Sequence, residues 1–251
     1  MLETKDLTIR FGGHVAVDHV SCAFQPGTLT AIVGPNGAGK TTYFNLISGQ
    51  LRASEGSVHL KGLDITRESA PARTHRGLGR AFQLTQLFPN LSVVENVRLA
   101  VQARRKEGLN LWSVWLDHRN TLERAHALVD RVRLGARADA PASSLPHGDQ
   151  RKLEVAMLMA LEPSVYMFDE PTAGMSLDDV PVILDLIRML KEQRDKTILL
   201  VEHKMDVVRE LADRIVVLHN GRLVADGEPA DVIASPIVQQ AYLGMSTEEP
   251  A

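Results

Sequence analysis

The feature that most constrains this chain is a glycine-rich stretch that fits the pattern G-x-x-x-x-G-K-[ST] at every fixed position. Residues 29–33, just before it, predict a buried strand, and residues 43–47 predict a helix that ends at Gly49. A strand, such a loop and a helix in succession are the context in which the pattern binds phosphate. The candidate residues are Gly34, Pro35, Asn36, Gly37, Ala38, Gly39, Lys40, Thr41 and Thr42.

The chemistry of such a loop follows from its backbone. Glycines let amide N–H groups approach a phosphate closely, and the N-terminus of the following helix adds a positive end. We expect Lys40 to reach the β- and γ-phosphates of a nucleoside triphosphate and the Thr41 hydroxyl to bind Mg²⁺. A glycine-rich turn with a chance lysine is the competing interpretation, and it does not explain the flanking strand and helix.

Composition narrows the class of protein. The chain has 251 residues, 44% of them hydrophobic, which is enough for one large domain or two small ones. A net charge of −3 argues against a nucleic-acid partner. Cys22, the single cysteine, permits no internal disulfide and is expected in the core. No apolar run approaches the ~18–20 residues of a membrane-spanning helix, so we expect a soluble protein that reaches a membrane only through partners.

Strand and helix patterns alternate along the chain and predict an α/β fold with a mostly parallel sheet. Residues 1–33 predict strands in an N-terminal antiparallel β subdomain. Residues 92–161 show helical periodicity, opened by a capping box at Ser92 and Glu95. We therefore expect one domain over residues 1–251, with an α/β core at 1–91 and 162–251 and a helical insertion at 92–161. Trp112 and Trp115, inside the insertion, are either its core or a contact for a partner.

A second group of polar residues follows predicted strands. Residues 165–168 predict an apolar strand that ends in Asp169 and Glu170, at the edge where open α/β sheets bind ligands. We expect Asp169 to hold Mg²⁺ and Glu170 to act on water as general base. Alternation along a strand would place Glu170 on the face opposite Asp169. The competing interpretation is an ordinary acidic strand end before Pro171.

Three further side chains stand at the ends of predicted strands. His203 follows an apolar strand and could hydrogen-bond a γ-phosphate, although a lone histidine is usually structural. Gln83 follows residues 78–82 and could bind Mg²⁺ or position water. Phe11 is either a stacking platform for a base or a residue packed under the sheet.

Taken in order, these motifs resemble the motif series of the ABC transporter ATPases, with a P-loop NTPase (RecA-like) core. The series consists of Phe11 as the adenine-stacking aromatic, residues 34–42 as Walker A, Gln83 as the Q-loop, residues 145–150 as the signature, residues 169–172 as Walker B, residues 173–176 as the D-loop and His203 as the H-loop. Segments 11–13, 79–83, 170–175, 201–205 and 241–244 resemble more closely the ATPases of branched-chain amino-acid uptake systems. Urea-type uptake ATPases look similar.

The resemblance implies a partner-dependent mechanism. Two ATPase subunits, identical or homologous, face each other head to tail, and each ATP with its Mg²⁺ lies between the Walker A of one subunit and the signature of the other. His147 and Gly148 would be the nucleotide contacts on the signature side. Residues 84–91 and the helical insertion would dock integral membrane permease subunits at the cytoplasmic face of the membrane. An extracytoplasmic substrate-binding protein would be an indirect partner.

The sequence departs from the family pattern at two motifs. The usual signature is Leu-Ser-Gly-Gly-Gln, whereas this chain has Leu145-Pro146-His147-Gly148-Asp149. Pro146 lacks both a hydroxyl and a backbone N–H, but proline is tolerated in a first helical turn, so the following helix is expected to form. The second departure is Ser176, where the D-loop usually has aspartate.

Two other classes of function compete with a transport ATPase. ABC-type ATPases of translation or DNA repair usually carry two such domains or added insertions, which this chain lacks. A nucleotide-binding regulatory subunit without turnover is disfavoured because Lys40, Asp169, Glu170 and His203 are all present. Pro146 is the feature that keeps this last alternative open.

Overall fold

The computed structural model describes residues 1–81, 87–105, 118–236 and 238–239. The strands in these ranges are β1 (Leu2–Phe11), β2 (His14–Phe24), β3 (Leu29–Val33), β4 (Glu55–Leu60), β5 (Leu63–Asp64), β6 (Leu78–Ala81), β7 (Val165–Asp169), β8 (Thr197–Val201), β9 (Arg214–His219) and β10 (Arg222–Gly227). The α-helices are α1 (Lys40–Ser48), α2 (Ala70–His75), α3 (Val93–Arg105), α4 (His118–Arg131), α5 (His147–Ala160), α6 (Val180–Glu192), α7 (Met205–Leu211) and α8 (Pro229–Ala234).

The chain divides into two compact units. The first contains Met1–Leu78, Val165–Glu170 and the chain from Lys191 onward. The second contains Gly79–Ser164 and Pro171–Leu190. The single domain with an insertion at 92–161 stays a prediction, and the second unit includes the residues of that insertion.

A four-stranded antiparallel sheet forms from the N-terminal strands in the order β2-β1-β4-β5. The strands β1 and β2 pair as a hairpin whose register runs from Leu2 opposite Phe24 to Phe11 opposite His14. The turn between β4 and β5 is made by Lys61 and Gly62, both with positive φ. This sheet is the antiparallel β subdomain that the alternating pattern predicted.

The second sheet has the order β10-β9-β3-β8-β7-β6, with β6 as the edge strand where the chain leaves the first unit. Its central pairs β9–β3, β3–β8 and β8–β7 are parallel. Strands β3, β7 and β8 are buried at every position, as expected for strands covered on both faces. Strand β10 pairs with β9 in the antiparallel direction and is joined to it through Asn220 and Gly221, which both have positive φ as a two-residue hairpin requires.

Hydrophobic side chains cover both faces of the parallel strands. On one face, Phe44 and Ile47 of α1 belong to the same core cluster as Met167 of β7 and the buried residues of β1 and β2. On the other face, Val33 of β3 clusters with Val208 of α7. The helix that follows the glycine-rich loop is therefore packed into the larger core of the first unit.

Apart from residues 79–81 of β6, the regular structure of the second unit is helical over the residues that the structure describes. Helix α3 packs against both α4 and α5. The N-terminus of α3 is capped by Ser92, whose hydroxyl accepts a hydrogen bond from Glu95 N–H at 3.2 Å. The Glu95 side chain binds Arg98 instead of returning to the Ser92 backbone, so only half of the predicted capping box forms. Within the described ranges, no helix is long and apolar enough to cross a membrane.

Candidate functional site

The glycine-rich loop begins directly after β3 and ends where α1 begins at Lys40. Gly34 has φ 152°, and a Cβ there would lie 2.1 Å from the carbonyl oxygen of Leu218. Gly39 has φ 96°, and a Cβ there would lie 2.5 Å from the carbonyl oxygen of Ala16. Both positions require glycine, because the loop lies tightly against neighbouring strands while it turns into the helix.

Lys40 folds back over this loop. Its Nζ donates hydrogen bonds to the carbonyl oxygens of Gly34 and Pro35 at 2.6 and 2.9 Å. Burial lowers the pKa of Lys40, while the carboxylates of Glu170 and Asp169 act in the opposite direction. The Thr41 side chain is exposed in the first turn of α1. The Lys40 ammonium and the Thr41 hydroxyl therefore lie in the first turn of α1. The first amide N–H groups of a helix have no partner within the helix and can bind an anion.

Two carboxylates stand at the end of β7. Asp169 is the last residue of the strand and only 2% exposed. Glu170 lies outside the strand with φ 49°, and its N–H donates to the carbonyl oxygen of Val201 at 2.9 Å. Strand alternation therefore does not fix the direction of Glu170, because its backbone is left-handed, and its place on the face opposite Asp169 stays a prediction. Such a conformation in a non-glycine residue costs energy, and the bond to β8 holds it in place.

His203 follows the adjacent strand β8. Its Nδ1 lies 3.8 Å from Oε1 of Glu170 and 3.6 Å from Oε2 of Glu202. Its backbone N–H donates to Oε2 of Glu202 at 3.0 Å. Glu202 is completely buried, whereas the imidazole is half exposed. The histidine backbone is thus anchored while its ring faces outward beside Glu170.

The topology explains why these residues meet. Strands β3, β8 and β7 are neighbours and parallel, so their carboxyl ends lie on one edge of the sheet. The loop at 34–42, His203 and the pair Asp169 and Glu170 each follow one of these ends. Sequence reasoning missed Glu202, and its only signal was a carboxylate next to the candidate histidine.

Two other sequence candidates are Phe11, which the structure describes, and Gln83, which it does not. Phe11 ends β1 and is 50% exposed as a residue, so it is not packed under the sheet. Gln83 lies outside the described residues, as do Trp112 and Trp115.

In the second unit, Pro146 immediately precedes α5 as its N-cap, with φ −55° and no side-chain cap. The predicted helix does form, and Gln150 N–H donates to the Pro146 carbonyl oxygen at 3.0 Å. His147 is exposed and Gly148 is buried. A Cβ on Gly148 would lie 2.6 Å from Oδ2 of Asp179, so a carboxylate rests directly on this glycine.

The donors that the first unit could offer to a metal ion are oxygen atoms. In the part of the chain that the structure describes, no three or more His, Cys, Asp and Glu side chains are grouped to hold a metal ion. Mg²⁺ prefers oxygen ligands and commonly combines one or two carboxylates with substrate phosphates. The exposed Thr41 hydroxyl and the Asp169 carboxylate are donors of that kind.

A phosphate-binding loop at a helix N-terminus, facing carboxylates across the carboxyl edge of a parallel sheet, is the arrangement of P-loop nucleoside triphosphatases. Comparison with known proteins narrows this class. The ABC transporter family model matches residues 17–173. The chain therefore belongs to the ABC transporter family, and its fold is that of the ATP-binding cassettes, which are ATPases.

Individual relatives match over nearly their full lengths. The chain is 35% identical over 249 residues to the high-affinity branched-chain amino acid transport ATP-binding protein LivG of Escherichia coli K12, covering 97% of this chain and 98% of LivG. It is also 35% identical to BraF of Pseudomonas aeruginosa, an ATP-binding protein of the same description, with the same coverage. A solved ATP-binding cassette of an ABC transporter in its ADP conformation superposes with a TM-score of 0.82 at 28% identity, covering 98% of this chain and 99% of that one. The predicted fold class and family resemblance are confirmed.

Proposed function

We propose that ATP hydrolysis by this chain powers an importer of branched-chain or other hydrophobic amino acids. The observation that carries the catalytic part is the shared sheet edge where Lys40, Asp169, Glu170 and His203 meet. The full-length similarity to LivG and BraF supports the substrate class.

The loop at 34–42 would hold the ATP phosphates. Lys40 would exchange its two carbonyl partners for the β- and γ-phosphates, which are stronger acceptors because they are charged. The ring of Phe11, a half-exposed residue, would stack on the adenine. Thr41, Gln83 and Asp169 would hold Mg²⁺, which when bound neutralises charge on the phosphate oxygens.

Glu170 would accept a proton from the attacking water. An ordinary glutamate is a weak base at neutral pH, so the constrained backbone of Glu170 has to contribute by positioning its carboxylate. His203, anchored at its backbone by Glu202, would donate a hydrogen bond to the γ-phosphate. Gln83 would orient the same water or the metal.

The proposed assembly contains two ATPase subunits arranged head to tail. His147 and Gly148 of one subunit would contact the nucleotide held by the loop of the other. Permease subunits would hold the pair at the cytoplasmic face of the membrane, and an extracytoplasmic binding protein would deliver the substrate. Closure of the pair around ATP and its release after hydrolysis would drive the permease.

Transport by the purified complex tests this proposal. The complex that co-purifies with this chain would be reconstituted in liposomes, with its binding protein and with ATP on the side of this chain. We expect ATP-dependent uptake of labelled leucine, isoleucine or valine. If the liposomes took up urea but no amino acid, the chain would instead be assigned to the urea-type uptake systems. No membrane partner at all would contradict a transport role.

A further inference from the structure

A partly buried polar network in the second unit joins the two motifs that depart from the family pattern. Lys152 Nζ forms an ion pair with Asp149 at 3.0 Å and a second, very short one with Asp179. The Ser176 hydroxyl donates to the other oxygen of Asp179 at 2.8 Å. Asp149 also pairs with Arg137 at 3.1 Å. These contacts connect the first two turns of α5 with the residues that lead into α6.

Because Lys152 is buried, its ion pairs with Asp149 and Asp179 are expected to contribute more than ion pairs on the surface. Its side chain is 9% exposed, and those of Asp149 and Asp179 are 15% and 28% exposed. Exposed ion pairs contribute little, whereas a buried cation that loses its partners leaves an uncompensated charge. The pKa of Asp179 is lowered by its hydrogen bonds from Lys152 and then from Ser176.

The network acts directly on the signature backbone. Asp179 Oδ2, which Ser176 binds, is the atom that would lie 2.6 Å from a Cβ on Gly148. Its carboxylate therefore packs against Gly148 and limits how the first turn of α5 moves.

Ser176 and Asp149, which replace the usual aspartate and glutamine of these motifs, both favour the ion pair of Lys152 with Asp179. An aspartate at position 176 would place a second carboxylate beside Asp179, where the serine instead donates a hydrogen bond. A glutamine at position 149 would give Lys152 a neutral partner in place of a carboxylate. Ser176 and Asp149 thus both strengthen the anchoring of the same lysine and carboxylate pair.

We infer that Lys152 is a positioning residue that fixes the Gly148 amide for the nucleotide bound by the partner subunit. The inference rests on the head-to-tail pairing of the proposed function. In this chain the signature has lost the donors of its usual serine, so the orientation of the remaining amide carries more of the contact. Lys152 holds it through Asp179, which lies 27 residues away along the chain.

The test compares Lys152→Met, Lys152→Arg, Asp179→Asn and the double variant Lys152→Met with Asp179→Asn in the assembled complex. We expect Lys152→Met to lower turnover at saturating ATP by about 5- to 30-fold, the factor that one or two kcal/mol represents. ATP affinity of the chain should not change, because its own phosphate loop is untouched. Lys152→Arg should retain most of the turnover. The turnover of the double variant should be no lower than that of the slower single variant, as expected for residues that act as one unit.

The matched control is Arg188→Met, which removes an exposed ion pair with Asp185 on α6 and should leave turnover unchanged. If Lys152→Met fails to fold, Asp179→Asn, which preserves side-chain shape, gives the same comparison. Turnover of Lys152→Met equal to the parent, or an equal loss in ATP affinity, would overturn the inference.

A second readout separates this inference from the proposed function. Amide hydrogen exchange over residues 145–150 should be faster in Lys152→Met than in the parent and the Arg188→Met control, and the rise there should exceed any rise in the rest of the chain. Unchanged exchange would overturn the positioning role whether or not the chain hydrolyses ATP. A parent chain that shows no turnover, with exchange altered as expected, would contradict the proposed function alone.

Discussion

Glu170 and His203 face each other across neighbouring parallel strands, with Oε1 of the glutamate 3.8 Å from Nδ1 of the histidine. Neither residue lies in a strand, and each is held by its backbone: Glu170 by the carbonyl of Val201, and His203 by the buried carboxylate of Glu202. Both backbones are therefore fixed, which is what the proposed action of the two side chains on one γ-phosphate requires.

The permease-docking hypothesis predicts a local effect at Phe88. Phe88 is 50% exposed as a residue, while its backbone is fixed by the buried Asn96 through hydrogen bonds of 2.8 and 3.1 Å. Phe88→Glu should impair assembly with the permease and leave ATP binding intact, because the substitution puts a charge on an anchored apolar contact. The measurement is complex yield in a pull-down. Leu63→Glu, at a comparably exposed position on β5, is the control, and equal yields for both variants would remove Phe88 from the interface.

The buried side chain of Arg73 leads to a prediction about the stability of the fold. Its guanidinium is buried and donates to the carbonyl oxygens of Leu46 and Ile47 at 2.7 and 2.6 Å, at the end of α1. Arg73→Met should lower the free energy of unfolding by about 1–3 kcal/mol for each carbonyl left unsatisfied. Urea unfolding measures this. Arg76→Met, which removes only a surface pair with Glu68, should be indistinguishable from the parent, and similar losses in both would refute the role of Arg73.

Gly56 and Gly62 have nearly the same backbone conformation, so substituting each by alanine distinguishes the cost of backbone strain from the cost of a steric clash. Gly56 and Gly62 have φ of 82° and 81°, but a Cβ on Gly56 would lie 2.3 Å from the carbonyl oxygen of Asp6, whereas Gly62 faces open space. Gly62→Ala should cost roughly 1–2 kcal/mol for its left-handed backbone. Gly56→Ala should cost about 1–3 kcal/mol more, because it overpacks the β1–β4 contact. Equal shifts in the urea midpoint would contradict this.

Much of the fold was predictable because its signals are local. The Asn220-Gly221 hairpin, the glycine that ends α1 and the loop at 34–42 are each specified by a few neighbouring residues. The left-handed backbone of Glu170 was not predictable, because it depends on pairing with Val201 on another strand. The i,i+3 spacing of Asp149 and Lys152 was visible in the sequence. The contact of Lys152 with Asp179 was not, since only packing of the second unit creates it.

In a complex with a second, different ATPase subunit, each ATP site would combine the Walker A of one subunit with the signature of the other. The altered signature of this chain predicts that the two sites hydrolyse ATP at different rates. Pro146 is an N-cap without a side-chain bond, so Pro146→Ser would add a helix cap and restore a hydroxyl. In a background of Glu170→Gln, it should speed hydrolysis at the site that uses the partner's own glutamate. A hydrogen bond to a charged group is worth about 1.5–3 kcal/mol, which corresponds to roughly one to two powers of ten in rate.

The control for this prediction is Pro141→Ser, which alters the proline that precedes the short 3-10 helix Ala142–Ser144 and should not change the rate. Single-turnover ATP hydrolysis by the assembled complex measures the effect. An unchanged rate in Pro146→Ser would mean that His147, the Gly148 amide or the helix N-terminus already compensates for the missing donors. The predicted asymmetry between the two sites would then fail.

The measurement that tests the account most directly is ATP hydrolysis by the assembled complex with Glu170→Gln in this chain. The variant should bind ATP as tightly as the parent, because Lys40 and the loop at 34–42 are intact, and its own site should lose hydrolysis. Glu192→Gln, an exposed acid at the end of α6, should hydrolyse ATP like the parent. If the complex with Glu170→Gln hydrolyses ATP at the parent rate while the bound nucleotide remains at this chain's loop, Glu170 is not the base and the central claim is wrong.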